Sequence, residues 1–259
     1  MPTVERSARQ LLEFLYLLAR MELKSRYRGR LLGFVWSVGT VFAIAFVFWI
    51  AFKVIMRVDI PNYSVYLVTG LFPWAWMSAS VIGAARSFVG NAPLVREMGL
   101  AHGILPLSNV VAEMMHFTLA LPLILALVVF PGDHPPAASW LWQIPLMMAL
   151  QVAFVYPLAL ACALVNAYVR DVDYFLGIAF LLLFFVTPMV YPVSMVPEGL
   201  ARYFELNPLH ALMASWRAVL LHDSLDVARA GYAMGFAAVA GAAAWLLYRR
   251  VGPRVGEVV

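Results

Sequence analysis

Five histidines, one cysteine and two closely spaced aspartates are the side chains best able to do chemistry in this 259-residue sequence. A zinc-type centre needs ligands at short, regular spacing, such as two histidines one helical turn apart. His102, His116, His134, His210 and His222 form no such pair, and the sole cysteine, Cys162, can make neither an intramolecular disulfide nor a thiolate cluster. Asp171 and Asp173 stand at the edge of an apolar run beside Arg170, a pattern that reads as a solvated junction paired with that arginine. ATP hydrolysis calls for a glycine-rich turn ending in Lys-Ser or Lys-Thr, whose backbone amides cradle phosphates. Lys24-Ser25 follows Arg20-Met21-Glu22-Leu23, without glycine, so the chain has no site of that kind. His116, Gln151 and Asn166 are polar groups within apolar runs, where a membrane enzyme would keep its catalytic groups, but they are few and scattered. Neither a catalytic residue nor a metal ligand is assigned.

The aromatic residues offer chemistry of another kind. Phe42, Phe46 and Trp49 recur at helical spacing on one face, with Trp74, Trp76, Phe184, Phe185 and Tyr191 elsewhere. Their rings present flat apolar faces and, for Trp and Tyr, a polar edge, so a polymer of sugars could slide across them without any one sugar being gripped. The same rings also suit a lipid-facing surface or an interfacial belt. Phe42, Phe46, Trp49, Trp74 and Tyr191 are the candidate conduit residues.

The elements that must position these groups follow from composition. The chain is 64% hydrophobic and 12% charged, with mean hydropathy +0.85, more apolar surface than one water-soluble core can hide. A helix needs about 20 apolar residues to cross roughly 30 Å of hydrocarbon, and six runs approach that length: 30–53, 59–86, 112–130, 140–169, 174–195 (interrupted by Pro188 and Pro192) and 229–248. Lys and Arg concentrate before the first run and in the second, fourth and sixth connections, while the alternate connections hold few of them alongside Asp59, Asp133, Glu198, Glu205, Asp223 and Asp226. That bias places both termini in the cytoplasm. A net charge of +4 gathered beside a membrane span points to anionic lipid headgroups and not to nucleic acid. The first apolar stretch, Leu11 to Leu18, is short and interrupted at Arg20, which does not fit a cleavable signal peptide.

Several connecting segments carry structure of their own. Leu11, Phe14, Leu15, Leu18 and Met21 form a helical stripe, expected as an interfacial helix that anchors to the membrane surface or receives a soluble partner. The 86–106 connection, with Phe88, Leu94, Val95, Met98 and Leu100, predicts a short amphipathic helix packed on membrane or protein. The 187–226 segment is apolar and punctuated by Pro188, Pro192, Pro197 and Pro208; it reads either as re-entrant helices lining a pathway or as a periplasmic helical cap. Gly231 and Gly235 make a GxxxG in the last run, suited to packing inside the bundle or to a contact between copies. Pro73 is expected to kink the second span.

Glu22-Leu23-Lys24-Ser25-Arg26-Tyr27-Arg28, continuing to Leu32-Gly33-Phe34-Val35-Trp36, resembles the start of the permease subunits of ABC exporters for O-antigen, teichoic acid and capsular polysaccharides. Gly70-Leu71-Phe72-Pro73-Trp74 is similar to their second-helix motif, and Asn91, Leu94-Val95-Arg96 and Leu105-Pro106 to their cytoplasmic coupling segment. Arg170-Asp171-Val172, Thr187-Pro188-Met189-Val190-Tyr191-Pro192 and Asn207-Pro208 resemble three later landmarks, so the likeness spans nearly the whole chain. The sequence departs from the pattern at Leu100-Ala101, where many relatives carry Phe-Pro.

The resemblance implies an all-α membrane protein forming a single type-2 ABC transmembrane domain over 1–259. An interfacial helix (1–30) precedes a six-span bundle (31–248), with short re-entrant or periplasmic helices before the sixth span and a cytoplasmic tail (249–259). It implies a bacterial inner-membrane homodimer bound to two copies of a separate ABC ATPase, which carries ATP and Mg; this chain needs no cofactor. The cargo would be an undecaprenyl-linked glycan moved from cytoplasm to periplasm, most simply O-antigen. Asn91, Leu94, Arg96 and Glu97 are the expected ATPase contacts, with Arg28 and Arg30 meeting headgroup phosphate at the entrance. A permease for a drug or small lipid, a membrane enzyme acting on lipid-linked sugars and a structural scaffold are the other classes left open.

Overall fold

A computed structural model of the chain describes residues 8–27, 33–98, 103–130 and 136–259, and every regular element among them is helical. In chain order these are α1 (Ala8–Tyr27), α2 (Gly33–Trp49, continued by a π-helical turn, Ile50–Ile55), α3 (Tyr63–Ala85), α4 (Ser87–Gly90), α5 (Ala92–Met98) and α6 (Ile104–Val129). They are followed by α7 (Trp140–Tyr168), α8 (Val172–Val186), α9 (Glu198–Glu205), α10 (Pro208–His222), α11 (Val227–Val251) and α12 (Val255–Val258). Short 3₁₀ turns at Val193–Met195 and Gly252–Arg254 complete the order.

Among the described residues five helices are long and apolar enough to cross a membrane: the α2 run Val35–Ile55, α3, α6, α7 and α11. The fifth expected span differs. With 15 residues at 1.5 Å per residue, α8 is about 22 Å long, short of the roughly 30 Å hydrocarbon layer. Pro188 sets its end, because a residue before proline is driven from the helical region, and Thr187 is extended at φ −91°, ψ 129°. The third span begins earlier than its apolar run, at Ile104, so Leu105 and Pro106 lie in its first turn and not in the connection.

Lipid is as apolar as the side chains it meets, so apolar burial alone does not hold spans together, and close packing and polar bridges must contribute. Gln151 on α7 donates to the Pro73 carbonyl of α3 at 2.9 Å and accepts the indole N–H of Trp216 on α10. Asn166 near the end of α7 donates to the Ala85 carbonyl of α3 at 2.9 Å and accepts from the Asp173 N–H of α8 at 3.2 Å. His116 on α6 and Ser37 on α2 are 2.9 Å apart. The three polar residues that a membrane enzyme could have used therefore each tie helices together.

These contacts anchor the 187–226 segment to the bundle. Trp216 is fully buried and packs edge-on against Phe117 at 5.2 Å, while Gln151, Pro73 and Phe117 all stand near the midpoints of their helices. The indole of α10 thus reaches mid-depth among three spanning helices, while the helix itself meets the first turns of α7 and α11: Trp140 donates to the Val219 carbonyl at 3.0 Å, and His210 shares a hollow with Arg229 and Tyr232. Asn207-Pro208 starts it as a proline-preceding cap: Asn207 Oδ1 accepts from Leu209 N at 2.9 Å, and its amide donates to Thr187 Oγ1 at 3.1 Å.

One further expectation changes. A Cβ at Gly231 or Gly235 would meet no atom within 4 Å, so the GxxxG stripe faces outward and is not used to pack the described bundle. Within the 249–259 segment, α11 runs through Arg249 and Arg250, and the chain that follows buries Val255 completely.

Candidate functional site

At the end of the bundle carrying α1 and α12, here the proximal end, a second apolar core joins α1, α4, α5, the start of α6, the end of α7 and α12 around Phe88, Val95, Leu105, Leu164 and Val255. The described part of the amphipathic 86–106 pattern is thereby explained: Phe88, Leu94 and Val95 pack on protein. Among the residues expected to touch a partner, Asn91 turns its amide back to the Ser87 carbonyl at 2.8 Å, and Leu94 is half-buried against this core. Arg96 donates to the Val259 carbonyl, fastening α5 to the C-terminal turn. Arg28, Arg30, Leu100, Ala101 and the Glu97 side chain lie outside the described residues. Asp173 pairs with Arg86 at 2.7 Å, not with Arg170 as its sequence neighbourhood implied. With Asn166 this ion pair pins the α7–α8 turn to the α3–α4 turn.

The candidate conduit residues are divided among three places. Phe42, Phe46 and Trp49 do share a face: Phe46 stacks on Trp49 at 6.1 Å, Phe42 meets Phe72 at 5.1 Å, and with Val68 and Leu127 they line a hollow of about 400 Å³. Trp74 points to the opposite flank of α2. It packs edge-on against Phe180 and Phe184 at 6.0 and 5.7 Å on the floor of a groove of about 440 Å³ between α2, α3 and α8. Phe48, 5.5 Å from Phe184, forms its wall; helical periodicity could have marked Phe48, but only tertiary packing tells which flank of α2 meets α8. Outside the groove, Val47 of α2 and Phe175, Ile178 and Leu182 of α8 are more than half exposed. The α2–α3–α8 face is therefore a continuous uncovered apolar surface.

Tyr191 lies at the far, or distal, end, in a cluster that sequence reasoning missed. Residues 188–191 follow α8 without helical bonding, yet side chains reach each of their carbonyls. Arg217 of α10 donates to Pro188 O at 3.0 Å and Met189 O at 2.6 Å; Tyr63 and Tyr66 of α3 donate to Val190 O at 2.7 Å and Tyr191 O at 3.1 Å. The Arg217 guanidinium also lies over the Tyr66 ring, 3.9 Å from its centroid, and the residue is only 7% exposed. Tyr191 returns its own hydroxyl to Phe185 O at 2.6 Å. Gly70 completes the arrangement, since a Cβ there would collide with the guanidinium. Non-helical backbone at membrane depth persists only where its polar groups are satisfied, and these side chains provide that satisfaction.

The comparisons with known proteins fit this architecture. Residues 13–221 match the family model described as ABC-2 type transporter. The chain is 35% identical over 216 residues to an O-antigen export system permease protein RfbA of Klebsiella pneumoniae, covering 83% of each chain. It is 34% identical over 233 residues to a protein of the same description from Myxococcus xanthus, covering 88% of this chain and 87% of that one.

Proposed function

Because the chain belongs to the ABC-2 type transporter family, we propose that it is the membrane permease of an ATP-driven O-antigen exporter. The observation that carries this reading is the extent of the likeness to the Klebsiella pneumoniae permease, which covers 83% of both chains. The chain is a multi-pass membrane subunit and its partner is an ABC ATPase. In our reading two copies pair in the bacterial inner membrane with both termini in the cytoplasm, each copy carrying one ATPase on its proximal end. The α2–α3–α8 face, apolar and uncovered, then looks onto the second copy, and a lipid-linked glycan passes along it. The short α8 crosses together with the clamped turn 188–191, giving a sixth passage.

The proximal core supports the coupling part of this reading. Helices α1, α4, α5 and α12 form one packed unit attached to the ends of α3, α6 and α7, so a push on α5 is transmitted to three spans at once. ATP binding must favour one arrangement of the spans over another by a difference in binding free energy.

The test is to co-express the chain with an ABC ATPase and reconstitute the purified complex with undecaprenyl-linked glycan. Stable co-purification, glycan-responsive ATP hydrolysis and loss of that response on replacing Arg96 and Glu97 with Ala are the expected results. A chain that binds no ATPase, or a double variant that exports normally, overturns the assignment.

A further inference from the structure

A cleft of about 650 Å³ opens at the proximal end between α1, α6, α7 and α11, on a flank that shares no lining residue with the α2–α3–α8 groove. Leu11 and Leu15 of α1 cover it, Leu107 and Tyr156 form its back, and Trp245 and Tyr248 of α11 form its rim. The one hydroxyl at its back is committed, since Tyr156 donates to the Gly103 carbonyl at 3.3 Å. At the rim the Arg249 guanidinium lies over the Trp245 ring, 4.7 Å from its centroid, with exposed Arg250 next to it.

The volume falls within the roughly 300–1,000 Å³ of pockets that hold organic ligands, but the lining gives a soluble metabolite almost nothing to hydrogen-bond. An alkyl chain needs no such partner. Basic groups at the edge of an apolar cleft between membrane helices select an anionic headgroup, and Trp and Tyr are the residues that settle at headgroup level. The cleft's volume suits an ordinary acyl chain better than a far bulkier polyprenyl chain. We propose that this cleft is a site for one anionic phospholipid of the bilayer, its acyl chain held under α1 and its phosphate at Arg249. An occupant would brace α1 against α11, beside the core that also holds α4, α5 and α12, so lipid composition would tune the stiffness of the proximal end.

The experiment uses the full chain in lipid nanodiscs containing trace phosphatidylglycerol with a diazirine on its acyl chain, followed by mass-spectrometric mapping of adducts. Adducts are expected on the peptides carrying Leu11–Leu15 and Trp245–Tyr248, with about fivefold less labelling by a phosphatidylcholine probe of the same chain, the discrimination one basic group gives near a membrane. Arg249→Gln should lower phosphatidylglycerol labelling to the phosphatidylcholine level, and Arg249→Lys should largely retain it. Gly241→Leu should block labelling by either probe; a Cβ there meets only Pro157 Cγ at 3.8 Å, ordinary contact, so the helix tolerates it. Equal labelling by the two probes, unchanged labelling in Arg249→Gln, or displacement by stoichiometric undecaprenyl phosphate would each overturn the proposal. None of these readouts depends on transport, so the site can fail while the exporter reading stands, and the reverse.

Discussion

Replacing Arg217 with Met tests whether the 188–191 turn is held by side chains. Met keeps an apolar stem of similar reach but leaves the Pro188 and Met189 carbonyls without their donors. An unmet buried acceptor costs about 1–3 kcal/mol, so two cost about 2–6 kcal/mol. Removing the buried cation returns part of this through its relieved desolvation, leaving about 2–4 kcal/mol. At 1.4 kcal/mol per tenfold, the turn should open about 30- to 1,000-fold more often. Hydrogen exchange of the protein in nanodiscs reads this best at the Met189 amide, which donates to the Thr187 carbonyl at 2.6 Å, with the flanking amides and α7 as references. Gly70→Ala should produce the same local loosening with Arg217 intact, by displacing the guanidinium. Arg217→Lys should fall between, because one ammonium cannot fork to two carbonyls and lies less well on the Tyr66 ring. Unchanged exchange at Met189 in both Arg217→Met and Gly70→Ala would refute the clamp.

Asn166→Ala removes the bridge from α7 to Ala85 and to the start of α8; it should lower unfolding free energy by about 1–3 kcal/mol, seen as a lower Tm, whereas retention of wild-type Tm would deny the bridge its role. Gly231→Leu with Gly235→Leu should leave the stability of the single subunit within about 0.5 kcal/mol, since neither Cβ meets a neighbour. If that pair of substitutions instead dissociates a dimer in a cross-linking assay, the outward stripe of α11 is a contact between copies and the α2–α3–α8 face is not the whole interface.

Spanning helices were legible because their runs are long and their boundary residues charged: 140–169 appears as Trp140–Tyr168, and 59–86 contains Tyr63–Ala85. α8 was less so, since its run stays apolar beyond Val186 and only the conformational demand of Pro188 ends it. Hydropathy reports apolarity but not depth, so it could not show that α10 sends an indole to mid-depth; the bridge from Trp216 through Gln151 to Pro73 does. Helical periodicity joined Phe42, Phe46 and Trp49, which do share a face, whereas Trp74 was named for its ring chemistry alone, and only tertiary packing shows that α3 presents different flanks to α6 and α8. Arg217 was hidden most thoroughly. Counted by position it is one more charge in an outer connection, while its actual partners are backbone carbonyls 28 and 29 residues away, and a carbonyl has no signature in a sequence.

In a helix the backbone bonds form whatever the side chains are, so substitutions drift freely so long as polarity and size are kept. The turn at 188–191 lacks that indifference: its shape is written in Tyr63, Tyr66, Gly70 and Arg217. A change at any one leaves the others with a misfit, and the four should behave as a heritable unit, retained together or exchanged together for another set of donors. A chimaera that takes α3 from one permease and α10 from another would inherit half of the code, and its defect should be repaired by restoring the missing partner residues alone.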